Sequence, residues 1–233
     1  MTDFAIVLGL ALLPALGNFS GGLLAEYLPT SRRNLNHALH AASGIVIAIV
    51  AVELIPRALQ ATSGWTVAAA FGVGGLAYVA LEALVERLQK KRSDGDDRTS
   101  MWMIYVAVAV DLFSDGLMIG AGSAVATSLA LVLAPGQVLA DVPEGFATIA
   151  NFKDKDLPRR QRLILGASFA VPVLLAATLA YVLLRGQGEA LKMAALVFTA
   201  GLLTVAAVED MIVEAHKTDL GQYDLEKHGF SGS

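Results

Sequence analysis

Long apolar runs separated by short polar breaks dominate the chain. A helix needs about 20 apolar residues to cross the hydrocarbon of a bilayer, and seven runs reach that length, at roughly 4–26, 37–58, 65–88, 101–124, 128–152, 162–184 and 190–214. The pattern predicts an all-α fold: a polytopic transmembrane helical bundle of seven spans, with 1–233 as one transmembrane domain ending in a polar cytoplasmic tail at 217–233. The first run is too long for a signal-peptide core and follows Met1-Thr2-Asp3, which lacks a basic residue, so it is expected to stay as a helix. Pro14, Gly17, Asn18, Gly21 and Gly22 predict that this helix is loose or kinked, with small residues that permit close packing. In the third run Gly72, Gly74, Gly75 and Ala77 predict a close helix contact or a homodimer face.

Composition points the same way. Of 233 residues 55% are hydrophobic and only 16% are charged, against about 25% charged in soluble domains. The balance is that of an integral membrane protein whose first partner is the lipid bilayer. With no cysteine, disulfides and thiolate metal sites are excluded.

The basic residues give the chain an orientation. If the spans alternate, Arg32, Arg33, the cluster Arg87–Arg98, the cluster Lys153–Arg162, Lys217 and Lys227 all fall on one side, fourteen of the seventeen Lys and Arg. Only Arg57, Arg185 and Lys192 fall on the other. The positive-inside rule then puts the N-terminus outside and the tail in the cytoplasm; the setting is read as a bacterial cytoplasmic (inner) membrane. Trp65 and Trp102 sit at run ends, where interfacial anchors belong.

Four acids break the apolar pattern. Asp111 and Asp115 lie midway along the fourth run and Asp141 and Glu144 midway along the fifth, and no Lys, Arg or His occurs between Met101 and Phe152. Each charge at mid-bilayer costs about 2.5–3.5 kcal/mol on insertion scales, so four cost on the order of 10 kcal/mol if ionised and unpaired. The compensating charge is therefore expected from outside the chain, as a bound cation or as protons. Asp111 and Asp115 are one helical turn apart, as are Asp141 and Glu144, so each pair shares a face. The short link 125–128 makes the two helices antiparallel neighbours, which lets the pairs meet. Pro143 removes the amide that would bond the Leu139 carbonyl, and a freed carbonyl is a further oxygen ligand. Crowded carboxylates hold protons when no cation is present, so metal loading is expected to release protons. A proton relay needs no metal and remains the alternative, as a proton-linked carboxylate exchanger or a metal-binding membrane protein that does not transport.

These stretches resemble the ZIP (Zrt/Irt-like) divalent metal transporters. That family carries His-Asn-x-Pro-Glu/Asp-Gly in its fourth helix, where this chain has Asp111-Leu112-Phe113-Ser114-Asp115-Gly116. Its fifth helix reads His/Gln-Glu/Asp-x-Pro-Glu/His-Gly or Glu, against Ala140-Asp141-Val142-Pro143-Glu144-Gly145 here. Ala-Val-Glu-Leu-Ile-Pro at 51–56 and Val-Glu-Asp-Met-Ile-Val-Glu-Ala-His at 208–216 are similar to its second- and seventh-helix endings. The resemblance implies a transporter, not an enzyme, moving Zn²⁺, Mn²⁺ or Fe²⁺ toward the cytoplasm, with the metal as transported substrate and no organic cofactor. It implies Asp111, Asp115 and Glu144 as ligands, with Asp141 a ligand or proton acceptor. The family's asparagine is Leu112 here and its sixth-helix acid, before a proline, corresponds to Val171, so one metal is expected where relatives hold two. An all-oxygen site leans toward Mn²⁺ or Fe²⁺, with Zn²⁺ allowed by affinity order. The family has eight helices, and an eighth span is absent from this sequence.

Along the path, Glu53 is expected near the entrance, and Glu209, Asp210, His37 and His40 near the exit, with plain interfacial roles as the alternative. Thr148 and Asn151 continue the Glu144 face as a polar exit path. No nucleophile elbow, phosphate loop, dinucleotide fingerprint or His-Glu-x-x-His run occurs, and no nucleic-acid partner is expected. A retinal protein would need a lysine midway along the seventh run, and Lys192 lies at its edge.

Overall fold

The computed structural model describes residues 2–28, 32–90 and 97–212; the expected polar tail, with His216, lies outside the described residues. These form helices α1 (Thr2–Tyr27), α2 (Arg32–Ile49), α3 (Ile55–Ala61), α4 (Gly64–Lys90), α5 (Asp97–Val125), α6 (Thr127–Asp154), α7 (Arg159–Ser168), α8 (Ala170–Leu184) and α9 (Glu189–Ala206), with no strand among the described residues. Six segments are long and apolar enough to cross a membrane: Phe4–Tyr27, Leu39–Ala61, Gly64–Leu84, Met101–Val125, Arg159–Leu184 and Glu189–Glu209. The remaining expected span is α6. At 28 residues it is about as long as its neighbours, but Gln137, two prolines and the mid-helix acids Asp141 and Glu144 dilute its apolar character.

Proline explains where two helices depart from regular geometry. Between α2 and α3 the chain widens into a π-helical turn at Val50–Leu54. Pro56 lacks an amide to donate to Val52, and its ring crowds that carbonyl; the extra residue of a π turn absorbs the conflict. Pro172 does the same to Ser168, and the helix breaks there, between α7 and α8. Phe169 fills the break, fully buried and stacked on Tyr105 with ring centroids 4.9 Å apart. A second π turn, Ala207–Ile212, follows α9, and the Ser43 hydroxyl donates to its Ala207 carbonyl at 3.2 Å.

Three helix pairs make the most extensive contacts: α1 with α6, α5 with α8, and α4 with α9. Each is closed by glycine. A Cβ on Gly145 would run into the Asn18 backbone, one on Gly21 into the Val142 carbonyl, one on Gly116 into Val173, and one on Gly74 into Phe198. Without side chains at these points, backbones approach closely enough for dispersion to hold the helices in an apolar solvent. The close contact expected of the third run is therefore made with α9 of the same chain. Contacts in all three pairs advance together along both members, so each pair is parallel. In contrast α5 and α6 are antiparallel, joined by the single extended residue Ala126: Gly122 meets Leu133, Asp115 meets Gln137, and Asp111 lies near Asp141. Apolar side chains point outward elsewhere, with Trp65 at 88% exposure near the start of α4.

Candidate metal centre

The antiparallel seam between α5 and α6 assembles the four acids. Asp111, Asp141 and Glu144 each present a carboxylate oxygen, and these lie within 4.8 Å of one another. Asp141 is the centre of the group: only 1% exposed, it senses the charges of Asp115, Glu144 and Asp111 together. Asp115 stands to one side of the trio. Its Oδ1 accepts a 2.6 Å hydrogen bond from Gln137 Nε2, and its carboxyl approaches that of Asp141 closely enough for a proton or cation to bridge them. Without such a bridge, Asp115 Oδ2 and Asp141 Oδ2 have no donor among the described residues, and neither has the Gln137 carboxamide oxygen. Buried polar atoms are nearly always paired, so three such oxygens in one seam are compatible with a proton or cation as partner.

Two neutral residues that the sequence reading did not place in the site belong to it. Asn18, buried on α1, donates from Nδ2 to Glu144 Oε2 at 3.3 Å. Gln137 lies one turn before Asp141 and two before Glu144 on α6. With Thr148 and Asn151 it completes a polar stripe at 137, 141, 144, 148 and 151, every third or fourth residue along one helix face. That spacing was the available signal for Gln137. Thr148 uses its hydroxyl on the Glu144 carbonyl, at 2.8 Å.

The other expected site residues stand apart from this cluster. Glu53, on the first π turn, is ion-paired with Arg57 one turn on. His37 and His40 are exposed near the start of α2, and His40 Nδ1 contacts the Asn36 carbonyl at 2.8 Å. Glu209 is exposed on the second π turn; the side chain of Asp210 lies outside the described residues. Among the described residues only Asp111, Asp141 and Glu144 form a group of metal-ligating side chains this tight. Leu112 and Val171, where the ZIP pattern has polar residues, both face elsewhere: Leu112 is packed in an apolar core with Leu10, Phe169 and Val173, and Val171 is 66% exposed. α6 runs unbroken through Pro135 and Pro143. A cavity of about 560 Å³ opens at the α6–α7 turn, between Trp102 and Pro158, and the acids are not part of it.

Carboxylate oxygens at these separations form a hard, multidentate donor set. It suits a divalent cation far better than an organic ligand. Comparison with protein-family models and with curated proteins returned no match for this chain.

Proposed function

We propose that this chain is a membrane transporter that moves divalent metal cations of the Zn²⁺, Mn²⁺ and Fe²⁺ class toward the cytoplasm through the seam between α5 and α6. The observation that carries the reading is the trio Asp111, Asp141 and Glu144, with oxygens within 4.8 Å of one another, in a stretch without a single basic residue from Met101 to Phe152. A cation supplies the charge that these acids lack, and carboxylates give it up again when the surroundings rearrange. The resemblance of both acid-bearing stretches to ZIP transporters supports the same reading.

In this reading α6 is a seventh span. It lies parallel to α1, in contact along its length, and helices one and five of an alternating series must run in the same direction. The N-terminus is outside, as the basic residues favour. A cation from the outer side sheds water onto the carboxylates, and a shift of helix groups opens the seam inward. One cation is expected, because the α5 and α8 positions that would serve a second hold Leu112 and Val171.

The test is uptake of Mn²⁺ and Zn²⁺ into proteoliposomes holding the full chain. Uptake by the wild type and its loss in the double variant Asp115→Ala/Glu144→Ala supports the proposal. Metal binding without uptake would make the protein a binder that does not transport. Uptake that survives the double change would remove the site assignment.

A further inference from the structure

Gln137 is a neutral side chain held within the acid seam by Asp115, with an amide oxygen that no described donor reaches. It is 4% exposed. Its amide nitrogen carries two N–H groups, and both are engaged: one donates to Asp115 Oδ1 at 2.6 Å and one points at Met118 Sδ, 3.7 Å away. With Asp115 ionised, turning the amide over would set its carbonyl oxygen against a carboxylate oxygen and lose this hydrogen bond, so the charged carboxylate favours the observed orientation. The carbonyl oxygen Oε1 is then the only acceptor left on the side chain, and nothing among the described residues donates to it. Asp115 Oδ2 and Asp141 Oδ2 share that condition.

We infer that Gln137 determines which cation the seam accepts, by adding a neutral oxygen ligand that cations of high coordination number use and a tetrahedral cation does not need. This rests on the reading of the seam as a divalent cation site. Zn²⁺ is satisfied by about four ligands, which the carboxylates supply. Mn²⁺ prefers an octahedral shell of about six oxygens; three or four carboxylates leave it short, and a fifth acid would add another buried negative charge. A carboxamide oxygen extends the shell with no net charge. Its nitrogen at the same time holds Asp115 in place, so ligand and support are one residue.

The experiment is equilibrium binding of Mn²⁺ and of Zn²⁺, each alone, to the full chain in lipid nanodiscs. Wild type is compared with Gln137→Leu, which removes the oxygen, and Gln137→His, which replaces it with an imidazole. Gln137→Leu is expected to weaken Mn²⁺ about tenfold more than Zn²⁺, and Gln137→His to shift the ratio about tenfold further toward Zn²⁺ by tightening Zn²⁺ itself. A folding defect weakens both metals together and cannot tighten one. If the Mn²⁺/Zn²⁺ ratio stays at the wild-type value in both variants, Gln137 has only a structural role and the inference is overturned. If wild type binds neither metal, the cation-site reading fails and takes this inference with it.

Discussion

Two sets of buried acids lie in this bundle and are met in opposite ways. At the end of α1, Glu26 is 4% exposed in its side chain and is gripped by the Arg162 guanidinium, Nε to Oε1 at 2.5 Å and Nη2 to Oε2 at 2.8 Å. Arg159 stands 3.8 Å from the same carboxylate and stacks over Tyr27, and Lys153 caps α1 by donating to the Ala25 carbonyl at 2.7 Å. In the α5–α6 seam, buried Asp111, Asp115 and Asp141 and half-buried Glu144 gather with no basic side chain in either apolar run. Burying a carboxylate is costly wherever it happens. The first set shows that this chain supplies a cation of its own where an acid serves structure. Where it supplies none, we propose that the acids are kept for a cation that comes and goes.

That contrast can be broken most severely at the seam. Neutralising the central carboxylate, Asp141→Asn, is expected to lower Mn²⁺ or Zn²⁺ uptake beyond the roughly 10–100-fold that loss of an outer-shell partner costs a metal site. Glu26→Gln is expected to leave the transport rate per folded molecule near wild type. Equal losses in the two variants would mean that the sets do not differ in role. The next largest effect is on stability. Arg162→Met leaves Glu26 with Arg159 alone, 3.8 Å away, and losing the two charged hydrogen bonds of this part-buried pair costs about 1.5–3 kcal/mol, read as a lower midpoint in thermal unfolding of the detergent-solubilised protein. A midpoint within a degree of wild type would show the pair to be ornamental.

A cation should stabilise only the set that lacks one. At a concentration 100 times its Kd, a ligand that binds the folded state adds about 2.7 kcal/mol, so Mn²⁺ is expected to raise the unfolding midpoint of wild type and of Arg162→Met alike, and to leave Asp141→Asn almost unmoved. Carboxylates bind metal only when deprotonated, so the rise should shrink as the pH is lowered, and loading should release protons into a weakly buffered solution. A rise that is the same for Asp141→Asn would place the cation elsewhere.

The two sets also differ in how far they can be read from the chain. Asp111, Asp115, Asp141 and Glu144 stand out because charge in an apolar run is an anomaly at the level of composition, and one-turn spacing puts each pair on a face without knowledge of the fold. Gln137 follows from the same spacing, but a neutral amide raises no such alarm. Asn18 meets Glu144 across 126 residues, and only the glycine-closed packing of α1 on α6 brings them together. Glu26 is of the same kind: Arg159 and Arg162 are legible as topology signals, whereas their partner depends on where α1 ends against α7. The helices themselves are legible from length and apolarity, since a lipid solvent leaves the backbone little choice. The break at Phe169 and the π turn at Val50–Leu54 depend on how the strain from Pro172 and Pro56 is shared with neighbours, which a hydropathy pattern does not hold. α6 marks the limit of that pattern, because the residues that equip the seam are those that dilute its apolar signal.

The smallest expected effect is the one that separates the two sets by sign. In metal-free protein Asp141 is crowded by other carboxyl groups, and no donor among the described residues reaches its Oδ2. Replacing it by asparagine keeps the shape, removes one of the crowded acids and supplies two donors to Asp115 and its neighbours. The metal-free Asp141→Asn protein is therefore expected to be more stable than wild type by about 1 kcal/mol, the gain usual when an unfavourable site is relieved. For a chain of this size that is a rise of about 2–4 °C in the unfolding midpoint. The same isosteric change at Glu26 must lower the midpoint, since it discards a carboxylate that two arginines already satisfy. Both are acid-to-amide changes at buried positions in helical segments, so nonspecific damage would move them in the same direction. A fall in both midpoints would mean that Asp141 is already compensated within the folded chain, and the idea of a seam held open for an outside cation would have to be given up.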